Sequence, residues 1–299
     1  MEKQINFILP GFYEHFKLYS NILSYIKEKP EVVRENANIY GFYGNFPFCT
    51  WDGGRIFPNY RPANIEQMEE ILDVYNNKYN KPVRFVFTNS LIKETDTLDR
   101  YNNVSVELFN NGKNEIVINS PILMDYIKDN YKNYKFISST TKCILNEDTL
   151  KEELNNPDYL MVCLDYNLNH NEKLFNSLTE QEKEKVELLI NPICGPACPH
   201  RKKHYKLNSL FSLQYGKKYS MRGCLIDNNN NFWPKDWATI IKPDEIYDHY
   251  AKQGFRYFKI EGRTWPDITI LLTVASYLIK PEYQNAFIDD IYNVLYKTM

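Results

Sequence analysis

The feature that most constrains this chain is a rhythm of eight short apolar runs rich in β-branched and aromatic residues. They are INFIL (5–9), NIYGFY (38–43), VRFVF (83–87), EIVIN (115–119), KFIS (135–138), YLMVCLDY (159–166), VELLIN (186–191) and FRYFKI (255–260). Segments with helical spacing lie between them, among them IEQMEEILDVYNNKY, PILMDYIKDNY and EDTLKEEL, several opening on an N-cap residue or a first-turn proline. Short continuous apolar runs separated by amphipathic segments describe parallel strands covered by helices. Eight such units in 299 residues predict an α/β fold, a closed (β/α)8 TIM-like barrel, as one domain over 1–299. TILLTVASYLIK and AFIDDIYNVLYK are read as helices that close the chain. An open doubly wound sheet is the alternative arrangement of the same elements.

Charge excludes little but directs attention away from some partners. Lysine plus arginine (36) nearly balances aspartate plus glutamate (38), so no basic excess indicates a nucleic-acid partner. The N-terminal apolar run is shorter than a signal peptide's core and no 18-residue apolar stretch occurs, so the expected setting is cytoplasmic, with no membrane span. Six cysteines in such a chain point to buried thiols, metal ligands or catalysis rather than to a disulfide framework.

A barrel places its chemistry where strands end and βα loops begin. The segments there are polar or glycine-bearing, and two carry cysteine: GNFPFCTWDGGR (44–55) and NPICGPACPHR (191–201). Cys194 and Cys198 can share one metal centre; with Cys49 and Cys224 they make four thiolates, a set that suits an iron–sulfur cluster or tetrahedral zinc. His200 and His204 offer a Cys2His2 variant, whereas Cys143 and Cys163 read as small buried hydrophobes.

The stretch IKPDEIYDHYAKQGFRYFKIEGR (241–263) resembles the signature of the collagenase-like peptidase family, peptidase U-32, and closes on a KIEGR-type motif at Lys259–Arg263. The resemblance is specific over about 70 residues and implies a TIM-like barrel. In well-understood members it also implies a 4Fe-4S cluster on four cysteines and oxygen-independent hydroxylation of a quinone precursor or of RNA bases. Carried over by position, Cys194 and Cys198 match a CxxxC pair of one branch and Cys49 an early cysteine of the same branch. Cys224 is the candidate fourth ligand, although in that branch the remaining cysteine precedes the pair, where Cys163 stands. The extra domain of RNA-modifying relatives is not seen here, so the expected substrate is a small organic molecule.

The catalytic candidates are Glu261, Arg263 and Asp165. Arg263 presents a planar fork for a carboxylate or phosphate, Glu261 orients it or moves a proton, and Asp165 lies at the end of the sixth run beside the layer of Asn191. Trp51, Asp52 and Arg55 suit a flat or anionic ligand near a metal, and Arg201 stands beside the cysteine pair. Lys259 points to the barrel interior or to the helices, depending on register. No nucleophile elbow, HExxH, P-loop or GxGxxG occurs, so protease chemistry lacks support at the level of residues. The expectation is a barrel enzyme with an iron–sulfur cluster performing redox or hydroxylation chemistry. The rivals are a metal-braced partner subunit for another protein of the family, and a peptidase.

Overall fold

The computed structural model describes residues 3–54, 61–214 and 237–296. Eight strands, β1 (Ile5–Pro10), β2 (Ala37–Gly44), β3 (Val83–Phe87), β4 (Glu115–Ile118), β5 (Lys135–Ser138), β6 (Tyr159–Cys163), β7 (Val186–Leu189) and β8 (Tyr257–Lys259), form a closed barrel in sequence order. Every pairing is parallel, and β8 closes on β1 through Asn6 opposite Tyr257 and Ile8 opposite Lys259. The strands are shorter than several of the runs. LDY and IN, which continue the sixth and seventh runs, belong to the loops at the mouth, where the ladder has ended.

Period-two alternation sorts each strand into an outer and an inner face. Phe7 and Leu9 join the large core under the helices, while Ile8 packs inside the barrel with Tyr43 and Val86. Val117, Ile137, Met161 and Cys163 form a second interior cluster. The helices begin where the side chains permit it: Asn64 and Gln67 make a reciprocal capping box, and Ser120 caps the helix opened by Pro121. Among the described residues no helix is long and apolar enough to cross a membrane.

The interior also holds charge. Arg84 of β3, fully buried, donates to Glu115 of β4 and Glu187 of β7, and Lys259 of β8 lies 3.3 Å from Glu187. Burial works against a charge on Glu187, but Lys259 and Arg84 outweigh it and hold the carboxyl below its usual range. Two cations and two carboxylates therefore cross-link four strands inside one cylinder, and removing one member leaves its partners desolvated and unpaired.

Candidate functional site

The β8 strand delivers the KIEGR residues to the mouth. Lys259 turns inward, with Nζ 4.2 Å from the Tyr43 ring centroid, so the register sends it to the interior and not to the helices. Arg263 is buried and donates from Nη1 to Asp52 Oδ2 at 2.9 Å and from Nη2 to Oδ1 at 3.4 Å. Asp52 is itself set by the Gly54 N–H, 2.8 Å from Oδ1. Burial opposes the charge on Arg263, and Asp52 more than restores it. The Gly54 N–H of the DGG segment thus holds Asp52 toward the arginine.

Glu261 is a brace between loops. Its carboxylate accepts the Ile193 N–H at 2.6 Å, and its own N–H donates to Asn191 Oδ1 at 2.7 Å. Asn191 returns a bond from Nδ2 to the Glu261 carbonyl at 3.1 Å. The loop after β7 is fastened in this way to the loop after β8.

Tyr43, Thr88, Thr140, Tyr205, Lys259 and Arg263 are among the residues around a cavity of about 50 Å³ at this end of the barrel. That is room for a functional group rather than for a large ligand. Tyr205 comes from the helix Arg201–Leu213, which follows the β7 loop and leans over the opening.

Asp165 faces a different partner. It accepts from Arg201, whose guanidinium also donates to Thr140 Oγ1 at 2.9 Å and stacks 4.2 Å from the Tyr166 ring centroid. Arg201, which stands beside the cysteine pair in the sequence, joins the β5, β6 and β7 loops through Thr140 and Asp165. Trp51 is likewise a core residue, edge-on to Phe87 and donating to the Asp96 carbonyl, while Arg55 lies outside the described residues.

The four sulfurs proposed as cluster ligands do not assemble among the described residues. Cys224 lies outside them. Cys49 is buried in the outer core on the β2 loop, where burial, and then Asp52, push its thiol well above the ordinary value. Cys194 packs with Tyr166 and Leu189, and Cys198 is half-buried on the same β7 loop. The strands β2 and β7 that carry these loops are separated by β1 and β8 around the barrel. No three His, Cys, Asp or Glu side chains among the described residues form a group able to hold a metal. Only three of the four proposed ligands are among the described residues, and no chemical step is routed through a metal centre. Cys163 and Cys143 are buried, as read from sequence; burial lifts the Cys163 thiol to about 12.

Two residues that the sequence did not single out stand at the same rim. Glu14, on the loop after β1, has both carboxyl oxygens buried without a hydrogen-bond partner. Burial lifts its pKa from 4.5 to about 7, while its own backbone N–H and then Arg263 oppose the rise and Asp52 adds to it. Next to it, His15 is 3% exposed and pairs through Nδ1 with Asp267 Oδ1 at 2.6 Å.

No protein-family model matches the chain. The uncharacterized protease MJ1657 of Methanocaldococcus jannaschii is 23% identical over 281 residues, covering 90% of this chain and 80% of that protein. The solved structure of the U32 peptidase Mk0906 superposes with a TM-score of 0.54 at 14% identity, covering 89% of this chain and 96% of that one. The fold is that of a U32 peptidase. Both comparisons bear out the resemblance read from residues 241–263.

Proposed function

We propose that this U32-like barrel is an enzyme acting at its C-terminal mouth on a small polar substrate. The observation that carries the reading is the convergence of Lys259, Glu261, Arg263 and Tyr205 on one cavity at the strand ends. Buried ion pairs are a poor means of packing, because desolvation consumes most of their attraction. Fixed charges in a dry cavity do serve to orient a polar ligand and to stabilise charge that develops on it. Two conservative variants test this against a wild-type activity found with quenched fluorescent peptides or, anaerobically, with small quinone precursors. Arg263→Lys keeps charge but loses the fork, and Tyr205→Phe keeps the ring. Each is expected to lower kcat/KM by about 100-fold or more with the circular dichroism unchanged. Unaltered turnover in both would overturn the reading.

The redox form of this function, oxygen-independent hydroxylation with a 4Fe-4S cluster, or zinc in its place, is favoured by one observation: Cys194 and Cys198 share the loop next to the mouth. Its test is anaerobic purification with iron, zinc and sulfide counts. Brown colour lost in Cys194→Ser and Cys198→Ser carries it, and a protein without iron, zinc or sulfide ends it. Peptide hydrolysis rests on the names of the two similar proteins, and turnover of the peptides by metal-free protein would select it. A partner subunit for another barrel of the family would show turnover only when the two are mixed.

A further inference from the structure

Three buried polar atoms at the end of β1 have no hydrogen-bond partner in the protein: Oε1 and Oε2 of Glu14 and Nε2 of His15. Buried polar groups are nearly always satisfied, so three such atoms on adjacent residues beside a mouth call for a cause. Folding does not supply one, since each of them opposes burial.

Gly11 is what brings them together. Its φ is +73°, and a Cβ placed there would come within 3.1 Å of Glu14 Oε2 and 3.1 Å of His15 Nε2. His15 Cδ2 comes closer still, at 2.6 Å, so both side chains fold over Gly11 and would have to shift for any side chain there. Glu14 interacts electrostatically with Arg263, which lines the cavity, and with Asp52.

The chemistry of the three atoms is uniform. Asp267 accepts from Nδ1, so in the uncharged form of the His15 ring the proton sits on Nδ1 and Nε2 carries the lone pair. An ionised Glu14 is also acceptor-only. Arg263 and Asp52 neutralise each other across their two hydrogen bonds. What remains at this corner is acceptors and the negative charge of Glu14, with Asp267 behind His15. The complement is a cation with several N–H donors, and a primary ammonium group has three of them for three acceptors.

We propose that Glu14 and His15, over Gly11, bind a primary ammonium group of the substrate, which makes that substrate an amine such as an amino acid or the N-terminus of a short peptide. The inference rests on reading the mouth as the substrate site and deepens it by naming the substrate class. A carboxylate is repelled at this corner. A quaternary ammonium, though cationic, brings no donor.

The test reads binding, so it needs no turnover. The full chain has five histidines, and 15N-histidine labelling makes the His15 ring signals assignable by comparison with a His15→Gln sample. Three probes that share a butyl tail are titrated at about pH 8, where Glu14 is ionised: butylammonium, butyltrimethylammonium and butan-1-ol. Butylammonium is expected to shift the His15 signals saturably and the other two to leave them in place. Glu14→Gln is expected to weaken butylammonium about tenfold or more, the scale of one lost charge-assisted bond. An equal response to all three probes, a silent His15, or an unchanged affinity in Glu14→Gln overturns the proposal. If that variant fails to fold, the probe series on the wild type decides alone. A protein that turns over nothing would end the enzyme reading and leave a positive result at His15 intact, whereas a silent His15 ends the amine site alone.

Discussion

Glu14 carries a consequence for stability that can be measured without knowing the substrate. Its carboxyl holds a proton up to about pH 7 in the folded chain, against 4.5 when exposed, because burial outweighs the opposing pull of its own backbone N–H and of Arg263. Below about pH 4.5 both states are protonated and the side chain contributes its full share. As the pH rises toward 7 the unfolded chain releases its proton first, and that stability is lost. Glu14→Gln, which keeps shape and cannot ionise, should melt at the same temperature as the wild type near pH 4 and above it near pH 8. A constant difference between the two melts across that range would show that Glu14 does not titrate in this way. Gly11→Ala belongs to the same scale: a φ of +73° and a contact of 2.6 Å to His15 Cδ2 should cost about 1–3 kcal/mol, read from urea unfolding. Neither residue advertised itself, because a glutamate and a histidine in a loop have the composition of a solvated surface. Only the tertiary packing buries His15 and the carboxyl oxygens of Glu14.

Among the elements, β3, β4, β7 and β8 are joined by the interior charges. Glu187→Gln removes the negative charge that Arg84 and Lys259 share and should destabilise the barrel by about 3–5 kcal/mol in denaturant unfolding, since two buried cations would be left with Glu115 as their one carboxylate within this network. A loss below about 1 kcal/mol would mean that the network is hydrated and its charges screened. The loops after β7 and β8 are joined by Glu261 and Asn191, so Glu261→Gln should speed hydrogen exchange at the Ile193 amide while the β8 amides stay protected. The charges of this network were visible in VRFVF, EIVIN, VELLIN and FRYFKI as charged residues within otherwise apolar runs. Their pairing was not, because it depends on which strand faces which across the barrel.

Over the whole molecule, one barrel with one continuous outer core predicts one unfolding event. Far-ultraviolet circular dichroism and tryptophan fluorescence should give coincident denaturation curves, and two separated transitions would divide the chain into more than one unit. The closed sheet also explains why function gathers at one end. Parallel strands all finish on the same rim, so the loops that bear Glu14, Asp52, Arg201 and Arg263 open together although they are spread over nearly the whole sequence.

What the sequence determined by itself was local and periodic: eight buried strands, the helices between them, and therefore a barrel whose mouth carries Arg263, Glu261 and Asp165. Burial and hydrogen bonding of the backbone dictate those features within a few residues of chain. The tertiary structure decided which partner each charge meets: Arg263 took Asp52, Asp165 took Arg201, and Lys259 took Glu187. It also put Cys49 in the outer core, apart from the cluster that holds Cys194, and left both carboxyl oxygens of Glu14 and Nε2 of His15 buried without hydrogen-bond partners. Those outcomes follow from barrel closure, which sets residues more than 200 positions apart side by side, and no periodicity along the chain encodes distances across a closed sheet.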